Sequence, residues 1–321
     1  MPSFDSHHQP DGRLLQSGVK FTVIPETLQS PFKDHFPAYY KGLVRGEPGG
    51  FVIHPKFVNN AEKIYNMKVR SDDVWIRTFP RSGTTWTSEL VWLIMNDCNF
   101  EEAARVPLTV RSPNIDTHYF TNWDDLAPSE IMNARKCRSV EKLEQMPSPR
   151  VLQSHLPFQL LPPRLLNTAK VIYVARNPKD AIVSFFYFHK LVKLCYFSGE
   201  MEQFVDYFIN NQVCWTPYFF SLLDAWGKRN HPNLLILFYE DLKKDLRSQI
   251  EKMATFLDKS LTGKQVEQLL DHVSYLNCAG EMADCQTSHF TPEVSRKIDK
   301  WIEKNLEGSD LKFVTDLEEY N

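Results

Sequence analysis

The sequence predicts an α/β fold of three layers, in which helices cover both faces of a central, mainly parallel sheet. Short apolar runs rich in β-branched and aliphatic residues alternate with longer segments whose apolar residues recur at helical spacing. Four such runs lie near residues 74–79, 149–155, 171–175 and 233–240. The chain has 321 residues, of which 42% are hydrophobic, and this is long enough for one large domain of this kind.

The chain shows no low-complexity linker and no internal repeat. We therefore predict a single domain over residues 41–321, preceded by a partly flexible N-terminal extension over residues 1–40. The polar start has no signal-peptide core, and no window is apolar enough to span a membrane, so we expect a cytoplasmic protein without a membrane partner. The net charge of -3 gives no general attraction to nucleic acid.

The first motif is a strand followed by a glycine-containing loop and a helix. Residues 74–79 form the strand, Pro80 and Gly83 interrupt it, and residues 90–94 begin an apolar helical face. The start of a helix binds phosphate well, because its N–H groups and the positive end of its dipole point at the ligand. The fold is thus P-loop-like, but the loop lacks the Gly-Lys-Ser/Thr ending that ATPases use for phosphate and magnesium. A plain turn with a helix cap is the structural alternative.

A second strand, loop and helix follow at residues 170–184. Arg176 stands at the carboxyl end of the strand, the edge at which open α/β sheets bind ligands. Ser184 lies about two helical turns after Asn177, so Arg176 and Ser184 together could hold a second phosphate. The alternative is a surface pair between Arg176 and Asp180.

A third strand over residues 233–240 carries Tyr239 at its end. This ring could stack on a base or could simply be a tyrosine at the end of a strand. A charged amphipathic helix is predicted to follow over residues 241–257.

His155 is the candidate general base. It ends a short strand over residues 149–155, just before a proline-rich turn. A neutral imidazole is well matched to accepting a proton from a hydroxyl group near neutral pH. Nine other histidines are present, and the position of His155 at a strand end distinguishes it from them.

The six cysteines are scattered, without a Cys-x-x-Cys pair or a histidine at metal-binding spacing. They are predicted to be reduced thiols, most of them buried. No metal cofactor is predicted.

Taken together, the motifs resemble those of the cytosolic sulfotransferases. Residues 80–86 (PRSGTTW) match the 5′-phosphosulfate loop of that family, and residues 173–186 (YVARNPKDAIVSFF) match its 3′-phosphate motif. Residues 154–157 (SHLP), residues 238–241 (FYED) and the ending LKF at 311–313 add to the resemblance, which spans most of residues 50–275. The arginine in the loop and the run ELVWLI are similar to insect members.

The resemblance implies transfer of a sulfuryl group from 3′-phosphoadenosine 5′-phosphosulfate (PAPS) to a hydroxyl or amine, without a metal. It implies that His155 is the base and that Arg81, where lysine is more usual, stabilises charge on the leaving phosphate. It assigns the 3′-phosphate to Arg176 and Ser184, the latter also counted among the catalytic residues. The other donor-binding residues that it implies are Ser82, Gly83, Thr84, Thr85, Trp86 and Tyr239. Without the resemblance, Trp86 could equally be a core residue of the helix.

One element of the family is missing. Its members usually carry Arg-Lys-Gly followed by Gly-Asp-Trp before the last helix, where they clamp the 3′-phosphate, whereas residues 276–289 here contain neither Arg nor Lys. The nearest basic pair, Arg296 and Lys297, is followed by Ile298 within a predicted helix over residues 293–305. The dimer motif of vertebrate members is also absent, so the oligomeric state is not predicted.

Four functions are therefore compared. The first is a sulfotransferase for a small apolar acceptor such as a phenol, alcohol or steroid; the second is a catalytically impaired binding protein of the same fold. The third is a relative of retinol dehydratase, which would sulfate an alcohol transiently and eliminate water, and the fourth is a P-loop kinase. The predicted acceptor wall is apolar and aromatic, or else plain core, and consists of Leu108, Phe158, Phe185, Phe186, Tyr187 and Tyr196.

Overall fold

The structure is a computed structural model that describes residues 12–39, 42–116, 119, 139–192, 195–280 and 289–313. Within these residues the strands form two sheets of four. The strands are β1 (Arg13–Leu14), β2 (Lys20–Val23), β3 (Val44–Glu47), β4 (Phe51–Ile53), β5 (Val74–Thr78), β6 (Val151–Ser154), β7 (Lys170–Ala175) and β8 (Leu234–Phe238).

The α-helices, numbered in chain order among the described residues, follow. They are α1 (Glu26–His35), α2 (Pro55–Val58), α3 (Ala61–Tyr65), α4 (Thr84–Met95), α5 (Phe100–Arg105), α6 (Leu108–Arg111), α7 (Val140–Glu144), α8 (Leu165–Thr168), α9 (Pro178–Leu191), α10 (Met201–Ile209), α11 (Tyr218–Gly227), α12 (Tyr239–Lys244), α13 (Leu246–Phe256), α14 (Gly263–Gly280) and α15 (Pro292–Leu306).

The central sheet has the order β6-β5-β7-β8, and all its neighbouring strands are parallel. The chain passes from β5 to β6 on one side and then to β7 on the other side of β5. The loop after β5 therefore stands at a topological switch point, where open α/β sheets bind ligands.

Both faces of this sheet are covered, which confirms the predicted three-layer α/β fold. Side chains alternate along a strand, so Ile76 and Ile172 pack on one face against α4, α13 and α14. Trp75 and Tyr173 belong to the larger core on the opposite face, together with residues of α9 and α11. Strands buried on both faces explain the nearly continuous apolar runs in the sequence.

The second sheet is antiparallel, with the order β1-β2-β3-β4. Strand β2 (Lys20–Val23) pairs with β3 (Val44–Glu47). This pairing joins the predicted N-terminal extension to the predicted domain, on the two sides of the boundary near Tyr40. Phe21, Phe32 and Phe36 of the predicted extension are buried in the large core. The part of the extension from residue 12 to residue 39 is thus integrated with the residues that follow it, and the predicted flexible tip lies outside the described residues.

The prediction of one helix over residues 241–257 is wrong. Asp245 separates α12 from α13, because its backbone leaves the helical region (φ -143°, ψ 75°) and its side chain caps α13 by accepting a hydrogen bond from the backbone N–H of Ser248 at 3.0 Å. By contrast, the last predicted helix is confirmed by α15.

Candidate active site

The predicted functional residues meet at one edge of the central sheet. The anion loop (residues 80–86) follows β5, His155 follows β6, and Arg176 follows β7. Tyr239 begins α12 directly after β8. Because the four strands are parallel, their carboxyl ends lie side by side, and the sheet brings these residues together.

The anion loop, named for its predicted role, contains a glycine in the left-handed region directly before α4. Gly83 precedes α4 with φ at 98°, a conformation that L side chains rarely adopt. A Cβ atom at Gly83 would stand 2.9 Å from the Cδ2 atom of Tyr239, so a glycine is also needed for close packing. Thr84 and Thr85 open the first turn of α4, whose N–H groups have no acceptor within the helix.

Arg176 is held against the loop by three contacts. Its Nη1 donates to the backbone carbonyl of Arg81 at 2.7 Å, and its guanidinium carbon lies 4.2 Å from the ring centroid of Tyr239. The hydroxyl of Tyr218 donates to the backbone carbonyl of Arg176. The Nε atom of Arg176 is buried and makes no hydrogen bond within the described part of the chain.

Ser184 lies beside the same loop. Its hydroxyl oxygen accepts a hydrogen bond from Nε of Arg81 at 3.2 Å, and the guanidinium carbon of Arg81 lies 5.5 Å from the ring centroid of Phe188. Arg81 and Ser184, predicted to bind opposite phosphates, are therefore direct neighbours. The hydroxyl of Ser82 is fully buried and has no hydrogen-bond partner among the described residues.

The aromatic residues near the loop also come together. The rings of Trp86 and Tyr239 meet edge to face, with their centroids 5.9 Å apart. Trp86 is a residue of α4 and packs in the smaller core, as the structural alternative for it requires. Its indole N–H is buried and has no hydrogen-bond partner in the described ranges.

The ring of His155 is fixed by Thr78, the last residue of β5. Its Nδ1 lies 3.0 Å from the carbonyl oxygen and 3.2 Å from the hydroxyl oxygen of Thr78. That hydroxyl is 2.6 Å from the hydroxyl of Thr84, so the base and the start of α4 share a short chain of hydrogen bonds. A carbonyl oxygen can only accept, and we therefore assign the hydrogen to Nδ1 and the free lone pair to Nε2.

Two further neighbours of His155 were not predicted from the sequence. Asp116 is buried, and its Oδ2 accepts a hydrogen bond from the backbone N–H of His155 at 2.9 Å. The ring of Trp215 meets that of His155 edge to face at 6.0 Å, with φ of Trp215 at 72°. Both residues are more than 35 positions from His155 along the chain, and only the folded chain reveals the contacts.

Burial dominates the electrostatics around the base. It lowers the pKa of His155, and the carboxylate of Asp116 partly offsets this effect. Burial also raises the pKa of Asp116. The imidazole is therefore neutral, as a general base must be, at a lower pH than an exposed histidine would allow.

Glu240 supports the turn between β7 and α9. Its Oε1 accepts a hydrogen bond from the backbone N–H of Asn177 at 2.7 Å, and burial raises its pKa to about 7. Asn177 in turn caps α9 by accepting from the backbone N–H of Lys179 at 2.9 Å. This arrangement fixes the turn that carries Arg176.

The predicted acceptor wall is only partly assembled near the base. Phe185 packs between Phe79 and Trp215, with ring centroids 5.5 Å and 6.4 Å away. Phe158 instead lies against the guanidinium of Arg77, whereas Tyr196 is 42% exposed. Phe186 and Tyr187 of α9 meet edge to face with their centroids 5.2 Å apart, and Leu108 is the first residue of α6.

Of residues 276–289, which lack arginine and lysine, the first five lie in α14, which ends at Gly280, and residues 281–288 lie outside the described residues. Of the nearby basic pair, Lys297 makes an ion pair with Asp206 of α10.

No group of three or more His, Cys, Asp or Glu side chains in the described ranges is arranged to hold a metal ion. Among those residues, no helix combines the length and the apolar character needed to cross a membrane.

Comparison with known proteins identifies the family. The family model described as Sulfotransferase domain matches residues 71–284. Sulfotransferase 1 family member D1 of Mus musculus is 33% identical over 79% of this chain and 83% of its own length. Luciferin sulfotransferase of Photinus pyralis is 31% identical over 91% of this chain and 86% of its own.

Solved structures give the same result. The crystal structure of retinol dehydratase in a complex with retinol and PAP superposes with a TM-score of 0.81 at 30% identity, covering 92% of this chain and 99% of that one. The same enzyme in complex with androsterone and inactive cofactor PAP also gives a TM-score of 0.81. The chain therefore belongs to the sulfotransferase family, whose members are sulfuryl-transferring enzymes.

Proposed function

We propose that this protein transfers a sulfuryl group from PAPS to the hydroxyl, or amine, of a small apolar acceptor in the cytoplasm, without a metal. The observation that carries the proposal is the meeting of three features at one sheet edge. These are the anion loop, the residues Arg176 and Ser184 that both contact Arg81 of that loop, and a buried histidine whose surroundings favour its neutral form.

The unsatisfied polar atoms beside the loop support donor binding. The hydroxyl of Ser82 and the Nε of Arg176 are buried without a hydrogen-bond partner among the described residues. Buried polar groups normally have partners, and the oxygens of a phosphate would supply them. Arg176 would hold the 3′-phosphate with Ser184, and the start of α4 would hold the 5′ side.

His155 would activate the acceptor. With the hydrogen on Nδ1 directed at Thr78, Nε2 is left to take the proton of the acceptor hydroxyl. The acceptor oxygen then forms a bond to sulfur as the bond between sulfur and the bridging phosphate oxygen breaks, which releases 3′-phosphoadenosine 5′-phosphate. When bound, PAPS supplies the sulfuryl group and a good leaving group.

Arg81 would stabilise the negative charge that develops on the leaving phosphate. A guanidinium stays protonated, so Arg81 can stabilise this charge but cannot donate a proton to it. Its hydrogen bond to Ser184 links the charge on the 5′ side with the residues of the 3′ side.

The acceptor is proposed to be apolar. Trp215 and Phe185 place aromatic surface next to His155. The similar structures contain retinol and androsterone, and a similar curated enzyme is named for luciferin, which are all small molecules with apolar rings or chains.

A second candidate is a dehydratase like the structurally similar retinol dehydratase. It would form the sulfate ester in the same way and then lose sulfate and a proton, so that the alcohol loses water overall. The similarity at 30% identity favours this candidate. A third candidate is a protein that binds the donor weakly and does not turn it over. The absence of Arg-Lys-Gly in residues 276–289 favours this candidate.

One assay separates these functions. The protein is incubated with PAPS and a phenol, a steroid alcohol or an allylic alcohol, and the products are identified by mass spectrometry, with His155→Gln as the control. We expect sulfated product together with released 3′-phosphoadenosine 5′-phosphate. An anhydro product would support the dehydratase, and no donor-dependent product from folded protein would contradict both enzymes.

A further inference from the structure

A buried arginine stands in the middle of the central sheet. Arg77 of β5 pairs with Ser154 of β6 and Tyr173 of β7, and it is 1% exposed. No carboxylate of the described residues forms an ion pair with it, in contrast to Arg150, which is paired with Asp73. Burial lowers the pKa of Arg77, and the charges of Asp224 and Asp116 offset this effect in part without forming an ion pair with it. A buried cation is costly, so the groups that hold this guanidinium are important.

The guanidinium of Arg77 is held by uncharged groups. Its Nε donates to the carbonyl oxygen of Leu156 at 2.6 Å, and its Nη2 donates to the hydroxyl of Ser221 at 2.7 Å. Its Nη1 is 3.3 Å from the carbonyl oxygen of Ser221. The rings of Phe158 and Tyr173 lie 4.3 Å and 5.1 Å from its central carbon, and cation–π attraction offsets part of the desolvation cost.

These contacts lead directly to the base. The carbonyl oxygen that accepts the hydrogen bond from Nε of Arg77 belongs to Leu156, the residue after His155. Thr78, whose carbonyl faces Nδ1 of His155, is the residue after Arg77. Two consecutive residues of β5 therefore contact the backbone of the residue after His155 and the ring of His155.

We propose that Arg77 is a positioning residue for the sulfuryl transfer, which fixes the backbone on the carboxyl side of His155 and places a permanent positive charge near its ring. This rests on the proposed function of His155 as the base. The residue acts through the Leu156 carbonyl and through its charge, and it makes no contact with the reacting atoms.

The charge of Arg77 acts in the direction that the reaction needs. The charged groups that act on His155 are Asp116, Arg77 and Arg81. After burial, which is the largest effect, the two arginines lower the pKa of His155 and Asp116 raises it. Arg77 thus helps to keep the imidazole neutral and ready to accept a proton.

The test compares Arg77→Met, which removes the charge, with Arg77→Lys, which keeps the charge but loses the planar fork. Arg150→Lys is the matched control, because Arg150 is also buried but lies before β6, at the end opposite His155. The pKa of His155 is followed by NMR in full-length protein with labelled histidine, its signal assigned with His155→Gln. This readout does not depend on turnover, so it remains valid if the proposed reaction fails.

We expect Arg77→Met to raise the pKa of His155, and Arg77→Lys and Arg150→Lys to leave it near the wild-type value. The turnover number should fall about 10- to 100-fold in both Arg77 variants, because a small misplacement of His155 would have an effect of this size. The KM for PAPS should not change. An unchanged pKa in folded Arg77→Met, or an equal shift in Arg150→Lys, would overturn the proposal.

If circular dichroism shows that Arg77→Met does not fold, the variants Arg77→Lys and Ser221→Ala test the positioning role of Arg77 instead. Ser221→Ala keeps the charge and removes one acceptor of Arg77, so it should lower the turnover number without moving the pKa of His155. A turnover number equal to that of Arg150→Lys in both variants would contradict a positioning role.

Discussion

The Nδ1 atom of His155 lies 3.0 Å from the backbone carbonyl oxygen of Thr78, across the neighbouring parallel strands β6 and β5. This contact fixes the tautomer, so that Nε2 carries the lone pair. The hydroxyl of Thr78 also lies 2.6 Å from that of Thr84, which connects the base to the first turn of the anion-binding helix. The proposed base and the start of α4, which is the proposed donor site, are therefore linked through Thr78.

Replacing the base tests its role directly. His155→Gln should lower the turnover number by about 10²- to 10⁴-fold, because general base catalysis contributes about that much. The affinity for 3′-phosphoadenosine 5′-phosphate should not change, since His155 is not among the proposed donor-binding residues. Steady-state kinetics and calorimetry measure the two effects.

The control for this experiment is His231→Gln, at the amino end of β8, where His231 accepts a hydrogen bond from the backbone N–H of Asn233. A similar loss of turnover in this variant, or full activity in His155→Gln, would contradict the assignment.

Arg176 should matter for affinity. Arg176→Gln should weaken the binding of 3′-phosphoadenosine 5′-phosphate about 10- to 100-fold, because a hydrogen bond to a charged group contributes about 1.5–3 kcal/mol. Titration calorimetry measures the change. The matched control is Arg229→Gln, since Arg229 also stacks on an aromatic ring, that of Trp226 at 4.9 Å, but pairs with Asp310 away from the loop. Equal affinities in the two variants would show that Arg176 does not bind the donor.

Asp116 should set the acidic limb of the pH profile. Its carboxylate raises the pKa of His155, so Asp116→Asn should lower that pKa while the amide oxygen still accepts from the backbone N–H. The base must be neutral, so the acidic limb of kcat/KM should move to lower pH. A movement to higher pH would show that the limb belongs to another group.

His189 should make stability depend on pH. It is fully buried, its Nδ1 is 2.8 Å from the carbonyl oxygen of Phe185, and burial lowers its pKa from 6.5 to about 4. Between these values the unfolded chain binds more protons, so the free energy of unfolding should fall as the pH drops from 6.5 towards 4. The loss from this group is at most about 3 kcal/mol.

The measurement is urea unfolding of wild type and His189→Phe across that range. Glu240 acts in the opposite direction, since its pKa is raised from 4.5 to about 7, and only the difference between the two proteins isolates His189. We expect this difference to depend on pH, with the wild type losing more stability in acid. Parallel curves would contradict the assignment.

Much of the fold could be predicted from local sequence. The strands of the central sheet are short apolar runs, and the turns after β5 and β7 are marked by Pro80, Gly83 and Pro178. Local patterns of this kind determine element type and order. The shared location of the residues at the strand ends could then be predicted as well, because the carboxyl ends of parallel strands lie at one edge of the sheet.

Other parts depend on contacts between distant residues. Asp116 and Trp215 are brought to His155 only by the tertiary fold, and no nearby pattern marks them. Arg77 interrupts an apolar strand, but its partner Ser221 is 144 positions away. The antiparallel pairing of β2 with β3 likewise requires partners on both sides of the predicted boundary near Tyr40.

Donor binding is measured by calorimetric titration of the wild-type protein with 3′-phosphoadenosine 5′-phosphate, with ATP as the control. The anion loop, Arg176 and Ser184 must hold the donor although residues 276–289 supply no arginine or lysine. We expect selective binding with a Kd in the micromolar range and much weaker binding of ATP. No measurable binding by folded protein, or equal binding of ATP, would contradict it.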